Sequence, residues 1–168
     1  TPIAPGRKVA DTTNGGRRTA RFVSEAPILA FFSIQSADYA EKSMDADGVR
    51  LTVFFDRKHP FNVDRMLAAL KSSLGYYQAN FGPYQFDHAR IIEFPGYQSF
   101  AQAFAGTMPY SESLGFLANN SDADKIDYVT YVTAHELAHQ YWAHQVISAD
   151  MQGGTIWVET MAQYSALM

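Results

Sequence analysis

Hydrophobic residues along this chain repeat with two different periods, and the period in each segment predicts a strand or a helix. Five segments have the composition or the alternation of strands: residues 19–24, 28–36, 49–55, 89–94 and 113–119. The alternation is clearest in "VRLTVFF", where every second residue from Val49 to Phe55 is apolar. This pattern is typical of a half-buried strand. Pro27 separates the first two predicted strands, and Pro95 ends the fourth.

The first helical pattern follows the third predicted strand. Apolar residues recur three and four positions apart from Val63 to Tyr77. Asn62 is the predicted N-cap, and Gly82 and Pro83 end the pattern. This spacing predicts an amphipathic helix whose apolar face lies in the core.

Two more helices are predicted near the end of the chain. Residues 121–124 fit a capping box, so a helix should start there and continue past His139. A Gly pair precedes a further helical pattern in residues 155–168. Residues 96–112 are aromatic and poor in charge, which is typical of a functional loop or of a loop at an interface. The order of strands and helices predicts an α+β fold.

Length, composition and net charge limit the functions that the chain can have. The chain has 168 residues, 47% of them apolar, and a formal net charge of −4. It is therefore long enough to bury the core of one main domain, and its acidic balance argues against nucleic acid as a partner. A basic cluster near the N-terminus lies among Gly, Thr and Asn, which predicts a solvated, flexible arm. The cluster consists of Arg7, Lys8, Arg17, Arg18 and Arg21.

The absence of cysteine excludes disulfides and Cys-based zinc sites, but it indicates no compartment. No apolar run is long enough for a transmembrane helix, and the chain is expected to be soluble as given. The helical pattern is still running at Met168, without a capping Gly or Pro. We therefore expect the chain to be part of a longer protein.

The candidate chemistry lies in "HELAH", residues 135–139. Residues four apart share one face of a helix, so His135 and His139 should point together. Two imidazoles at this spacing can hold Zn²⁺, while Glu136, about 100° further round the helix, can reach a water molecule at the metal as general base. The pattern predicts a zinc-dependent hydrolase.

A catalytic zinc also needs a third protein ligand and an open position. The only acidic residues after His139 are Asp150 and Glu159. Asp150 lies in a turn region, whereas Glu159 lies in a predicted helix that can fold back against the first. Glu159 is therefore the predicted third ligand.

"HELAHQYW" followed by "WVETMAQY" resembles the aminopeptidase N family of gluzincin metallopeptidases. In that family a glutamate in the motif NEGFA follows HExxH on a second helix. Here 19 residues, 140–158, separate His139 from Glu159, one more than in the family, and VETMA replaces NEGFA. The resemblance implies a thermolysin-like zincin catalytic domain with a mixed, mostly antiparallel sheet, a zinc cofactor and a peptide substrate.

Residues 144–168 look similar to a branch of the family in which the peptidase domain is joined to an ABC-transporter-type permease. That likeness implies a membrane-associated parent protein. By the same resemblance, residues 1–44 would be an N-terminal arm and the tail of an upstream β domain. Residues 45–168 would be the first part of the catalytic domain.

The family also carries a G-x-M-E-N motif upstream of HExxH, whose glutamate holds the free amino group of the substrate. Gly106 and Met108 match its beginning, and Glu112 is the candidate amine anchor, displaced by three positions. Glu112 could instead cap or border the next predicted strand, residues 113–119. That strand would be the edge along which a peptide lies.

The family's oxyanion-stabilising tyrosine lies beyond the third ligand, outside this sequence. Tyr110, Tyr141 and Tyr164 are available, but packing is the expected role of each. The other histidines are expected at the surface or beside the ligands: His59, His88 and His144.

These inferences predict a zinc metallopeptidase domain, aminopeptidase-like, in which Glu136 moves the proton from water to the leaving amine. The alternative is a peptide-binding or sensing domain that does not cleave its ligand.

Overall fold

The computed structural model describes residues 1–168 and has eight strands and three helices. The strands are β1 (Pro2–Ile3), β2 (Arg7–Asn14), β3 (Arg17–Val23), β4 (Gln35–Ser36), β5 (Ala40–Ala46), β6 (Val49–Phe55), β7 (His88–Phe94) and β8 (Thr107–Ser111). The helices are α1 (Val63–Phe81), α2 (Tyr128–Ala138) and α3 (Gly154–Leu167). The α+β class predicted from the sequence is confirmed.

The central sheet has four strands in the order β5-β6-β7-β8. The β5–β6 pair is antiparallel, whereas the β6–β7 and β7–β8 pairs are parallel. The sheet is mixed as predicted, but most of its pairings are parallel. Helix α1 connects β6 to β7, and such a crossover is what a parallel pair requires.

The core lies between this sheet and the helices. α1 packs on β6 and on α2, and α2 packs in turn on α3. The fully buried aliphatic residues of the sheet and of α1 include Leu51, Val53, Ile91, Met66, Leu70 and Leu74. The apolar stripe predicted for α1 is therefore core, and α2 is held between α1 and α3.

Two predicted strands are absent. Of residues 28–36, only Gln35–Ser36 forms a strand, and Ile34 is 72% exposed. Residues 113–119 form turns, and the neighbouring strand is β8, inside the predicted loop. The reason at 113–119 is the Asn62 side chain, whose amide donates hydrogen bonds to the carbonyls of Gly115 and Ala118 at 2.8 and 2.9 Å. Those carbonyls consequently do not join a strand ladder.

The helix starts were predicted with mixed success. Asn62 precedes α1 as expected, but its side chain makes no capping hydrogen bond. Helix α2 begins at Tyr128 and not near Ser121, because Asp127 is its N-cap. The Asp127 carboxylate accepts hydrogen bonds from the Thr130 backbone N–H at 3.1 Å and from the Thr130 hydroxyl at 2.8 Å. This pairing satisfies a donor that the first turn would otherwise leave free.

The basic N-terminal segment is a hairpin of β2 and β3, not a flexible arm. Asp11 neutralises part of the positive charge of the hairpin through ion pairs with Lys8 at 2.9 Å and Arg18 at 2.7 Å. The expected domain boundary between residues 44 and 45 falls inside β5. No helix combines the length and the apolar character that crossing a bilayer demands.

Candidate metal centre

Helices α2 and α3 bring three predicted ligands to one point. His135 lies in the last turn of α2, His139 directly follows that helix, and Glu159 lies in the first half of α3. The Glu159 Oε2 atom is 3.4 Å from His135 Nε2 and 3.3 Å from His139 Nε2. The two Nε2 atoms are 3.1 Å apart. The three side chains therefore converge as predicted.

These separations fit a zinc ion. Zinc bonds of about 2.0–2.1 Å in tetrahedral geometry place ligand atoms roughly 3.3 Å apart. The three observed separations lie within a few tenths of an ångström of that value. Two imidazoles and one carboxylate are also a known donor set for catalytic zinc.

The imidazole orientations suit metal binding. His139 Nδ1 lies 3.1 Å from the carbonyl oxygen of Trp142. Because a carbonyl only accepts, Nδ1 carries the hydrogen and Nε2 faces the other two ligands. Burial, and next the charge of His139, lower the pKa of His135. A lowered pKa favours the neutral imidazole, which is the form that binds metals.

The centre is open on one side. The Glu159 side chain is 52% exposed, while the side chains of His135 and His139 are 14% and 6% exposed. A buried pair of imidazoles with an exposed carboxylate leaves room for a water molecule or a substrate carbonyl, as a catalytic zinc requires.

Glu136 lies next to the centre in a buried position. The residue is only 6% exposed, and its Oε2 atom has no hydrogen-bond partner in the protein. Burial, and next the negative charge of Glu159, raise the pKa of Glu136 to about 8. A carboxyl group with a pKa near neutrality is well suited to take up and release a proton.

A cleft of about 240 Å³ joins Glu136 and His135 to the surface. One wall is α2, and the other wall includes residues 99–101 and Leu114. His135 and Glu136 are the only titratable groups in its lining apart from two tyrosines, Tyr128 and Tyr131. Apart from His135 and Glu136, the lining of the cleft therefore carries no group that is charged at neutral pH.

Glu112 does not line this cleft. Its Oε1 accepts a hydrogen bond from the Gly96 backbone N–H at 2.9 Å, and its Oε2 lies 3.9 Å from His59 Nδ1. It lines a separate cavity of about 120 Å³ with Asp56 and Glu93. Of the two roles considered for Glu112, amine anchor or a residue that caps or borders the next segment, this position fits the second, but that segment forms turns and not a strand.

The strand expected to offer its edge to a peptide, residues 113–119, is not formed. Because residues 113–119 form no strand, β8 is the last strand of the sheet. Its outer edge is covered by isolated antiparallel bridges, Ala101 to Tyr110 and Phe104 to Thr107. The segment that includes Ala101 therefore separates β8 from the cleft.

Gly106 and Met108 are packed in the protein interior and do not face the candidate metal centre's cleft. Met108 is fully buried in β8. The Gly106 backbone N–H donates to the Gln140 side chain at 2.8 Å, and its φ is 63°. A Cβ atom there would lie 2.5 Å from His88 Nε2. Neither residue lines the cleft beside Glu136.

Replacing Gly106 with Ala should lower the free energy of unfolding by about 1–3 kcal/mol through overpacking against His88. Gly48→Ala is the matched control, because Gly48 also has a positive φ but has no atom within 4 Å of an added Cβ. Urea unfolding of both variants separates the two effects. If both variants lost the same free energy of unfolding, the His88 side chain would be able to move away from the added methyl group without destabilising the protein.

The tyrosines and remaining histidines are mostly buried. The Tyr110 hydroxyl donates to Thr133 at 3.4 Å, and burial together with the Glu136 charge raises its pKa. The Tyr141 hydroxyl donates to the Gly82 carbonyl at 3.2 Å. Both fit the expected packing role, and Tyr164 is exposed.

Two of the histidines expected at the surface or beside the ligands are not at the surface, and of these His144 lies beside a ligand, since its backbone N–H donates to the His139 carbonyl at 3.2 Å. His88 and His144 are buried, at 3% and 8% exposure. His144 Nε2 lies 3.1 Å from the Ala103 carbonyl, and His88 Nδ1 lies 2.8 Å from Asp87. His59 is partly buried and pairs with Glu93.

Sequence reasoning missed Gln163 and Trp142. Gln163 lines the cleft and accepts a hydrogen bond from the Tyr131 hydroxyl. Its position four residues after Glu159 is a signal that could have revealed it, since such residues share a helix face. The contact between Trp142 and His139 involves a backbone carbonyl, so no side-chain pattern encodes it.

Comparison with known proteins adds no identification. Neither a family model nor a curated protein matches this sequence.

Proposed function

We propose that this chain is a zinc-dependent metallopeptidase domain. The observation that carries the proposal is the convergence of His135, His139 and Glu159 at separations that suit zinc, with Glu136 buried beside them. Those residues would hold the ion. When bound, zinc acidifies a water molecule and polarises the carbonyl that the water attacks.

Glu136 supplies the proton transfers. Its unpartnered Oε2 accepts the proton of the attacking water, and the same carboxyl group then donates it to the leaving amine. Burial favours the first step, because desolvation raises the pKa of the carboxyl group and so increases its affinity for the proton. A peptide in the cleft beside Glu136 would lie close to this group.

Aminopeptidase-like cleavage is the narrower part of the proposal, and it derives from the resemblance to the aminopeptidase N family. An enzyme of this kind needs an anionic anchor for the terminal ammonium of its substrate. Glu112, the candidate from that resemblance, lies in a separate cavity with Asp56 and Glu93 and not beside Glu136, so the aminopeptidase part rests on the resemblance alone. The aminopeptidase part of the proposal predicts that peptides with a free N-terminus are cleaved in preference to peptides with a blocked one.

The experiment uses the protein loaded with zinc, together with peptides that carry a free or an acetylated N-terminus. Mass spectrometry of the products should show cleavage that a zinc chelator stops, with the free N-terminus preferred. Cleavage of both peptides at internal bonds would support a metallopeptidase but contradict the aminopeptidase part. Peptide binding by calorimetry without any cleavage would favour the alternative, a domain that binds or senses peptides.

A further inference from the structure

Trp142 touches both elements that supply the zinc ligands. Its backbone carbonyl accepts the hydrogen bond from His139 Nδ1 at 3.1 Å. Its indole N–H donates to the Ser165 hydroxyl on α3 at 2.9 Å. One residue therefore links His139 with the helix that carries Glu159.

The contact on α3 is firmly held. Ser165 is only 3% exposed, and its hydroxyl donates in turn to the Met161 carbonyl at 2.7 Å. The Trp142 ring also packs edge-on against Trp157, with ring centroids 5.8 Å apart. Trp157 and Ser165 lie on either side of Glu159 in sequence, so Trp142 contacts α3 on both sides of the ligand.

The remainder of the α3 surface gives Glu159 little support. Only Val158, Ala162 and Ser165 of α3 are buried, and the Glu159 side chain is half exposed. Its distance from the histidines consequently depends on the position of the whole helix. The hydrogen bond from the Trp142 indole to Ser165 fixes that position relative to α2.

We propose that Trp142 is a positioning residue for the metal centre, orienting His139 through its carbonyl and holding Glu159 in place through its indole. This inference rests on the proposed zinc site. Loss of a hydrogen-bonding partner of metal ligands typically weakens metal binding by about 10- to 100-fold. The same range is expected when the indole contact to Ser165 is lost.

The test measures zinc dissociation constants by competition with a chromogenic chelator. Trp142→Phe and Ser165→Ala each remove the same hydrogen bond from opposite ends. Both should weaken zinc binding by about 10- to 100-fold, and the double variant should be no weaker than the worse single variant, because the two residues act as one unit. Trp157→Phe is the control, since it changes an indole in the same contact but keeps the bond to Ser165.

Urea unfolding of the metal-free proteins separates positioning from general stability. If the variants lose stability but retain the wild-type zinc affinity, Trp142 is a packing residue only and the inference fails. An equal loss of zinc affinity in Trp157→Phe would also overturn it. A wild-type protein that binds no zinc would overturn the proposed function itself, which distinguishes the two failures.

Discussion

Glu136→Gln should lower peptide hydrolysis by the zinc-loaded protein by roughly 10²- to 10⁴-fold, the usual contribution of a general base. Glutamine has nearly the same shape as glutamate but cannot accept a proton from water. Because Glu136 is not one of the three converging ligands, the variant should keep its zinc. Turnover and zinc content measured on the same samples test both parts.

The substitution should not unfold the protein. The pKa of Glu136 is raised to about 8, so the folded metal-free protein keeps a proton that the unfolded chain has already released at lower pH. Between the ordinary pKa of glutamate and pH 8, the unfolded state binds fewer protons than the folded state. The free energy of unfolding therefore falls as the pH rises toward 8. The Glu136→Gln substitution would remove this loss, because an amide does not titrate. A variant less stable than the wild type at pH 8 would contradict the description of a buried, unpartnered carboxyl group.

His139→Ala should remove most of the stabilisation that zinc provides. If the roughly 10–16 kcal/mol reported for structural zinc sites is shared over four ligands, one ligand is worth about 3 kcal/mol, or roughly a 100-fold change in affinity. At zinc concentrations about 100 times the wild-type dissociation constant, zinc should raise the wild-type free energy of unfolding by about 2.7 kcal/mol and that of the variant by much less.

His144→Ala is the matched control for this measurement. His144 is also buried and also lies near a backbone carbonyl, that of Ala103, but it is not one of the converging ligands. Both variants should lose stability without zinc, because each removes a buried side chain. Only His139→Ala should lose the response to zinc. An equal response in the two variants would remove His139 from the metal centre.

The elements with strong local periods were predictable from the sequence. The alternation in residues 49–55 gave β6, and the helical spacing after Asn62 gave α1. The errors at residues 28–36 and 113–119 have another origin. A strand exists only where another strand pairs with it, and partners distant in sequence leave no local trace. At 113–119 the competing partner is the Asn62 side chain, a long-range contact.

In the candidate site, too, the contacts set by local spacing were predictable from the sequence and the long-range contacts were not. Two histidines four apart on a helix must share a face, and Glu159 needed only a second helix that folds back. Glu112 was assigned by its distance in sequence from HExxH, and the fold directs it to Gly96 and His59 instead. Sequence spacing predicts contacts within one helix well, but contacts between loops depend on the whole fold.

The most direct test of the account is the position of zinc in crystals of the zinc-loaded protein, located by anomalous diffraction at the zinc absorption edge. We expect one strong peak about 2.0–2.2 Å from His135 Nε2, His139 Nε2 and a Glu159 carboxylate oxygen. A peak at His59, Glu93 and Glu112, whose ligand atoms also lie within 4.8 Å of one another, with none at Glu159, would contradict it.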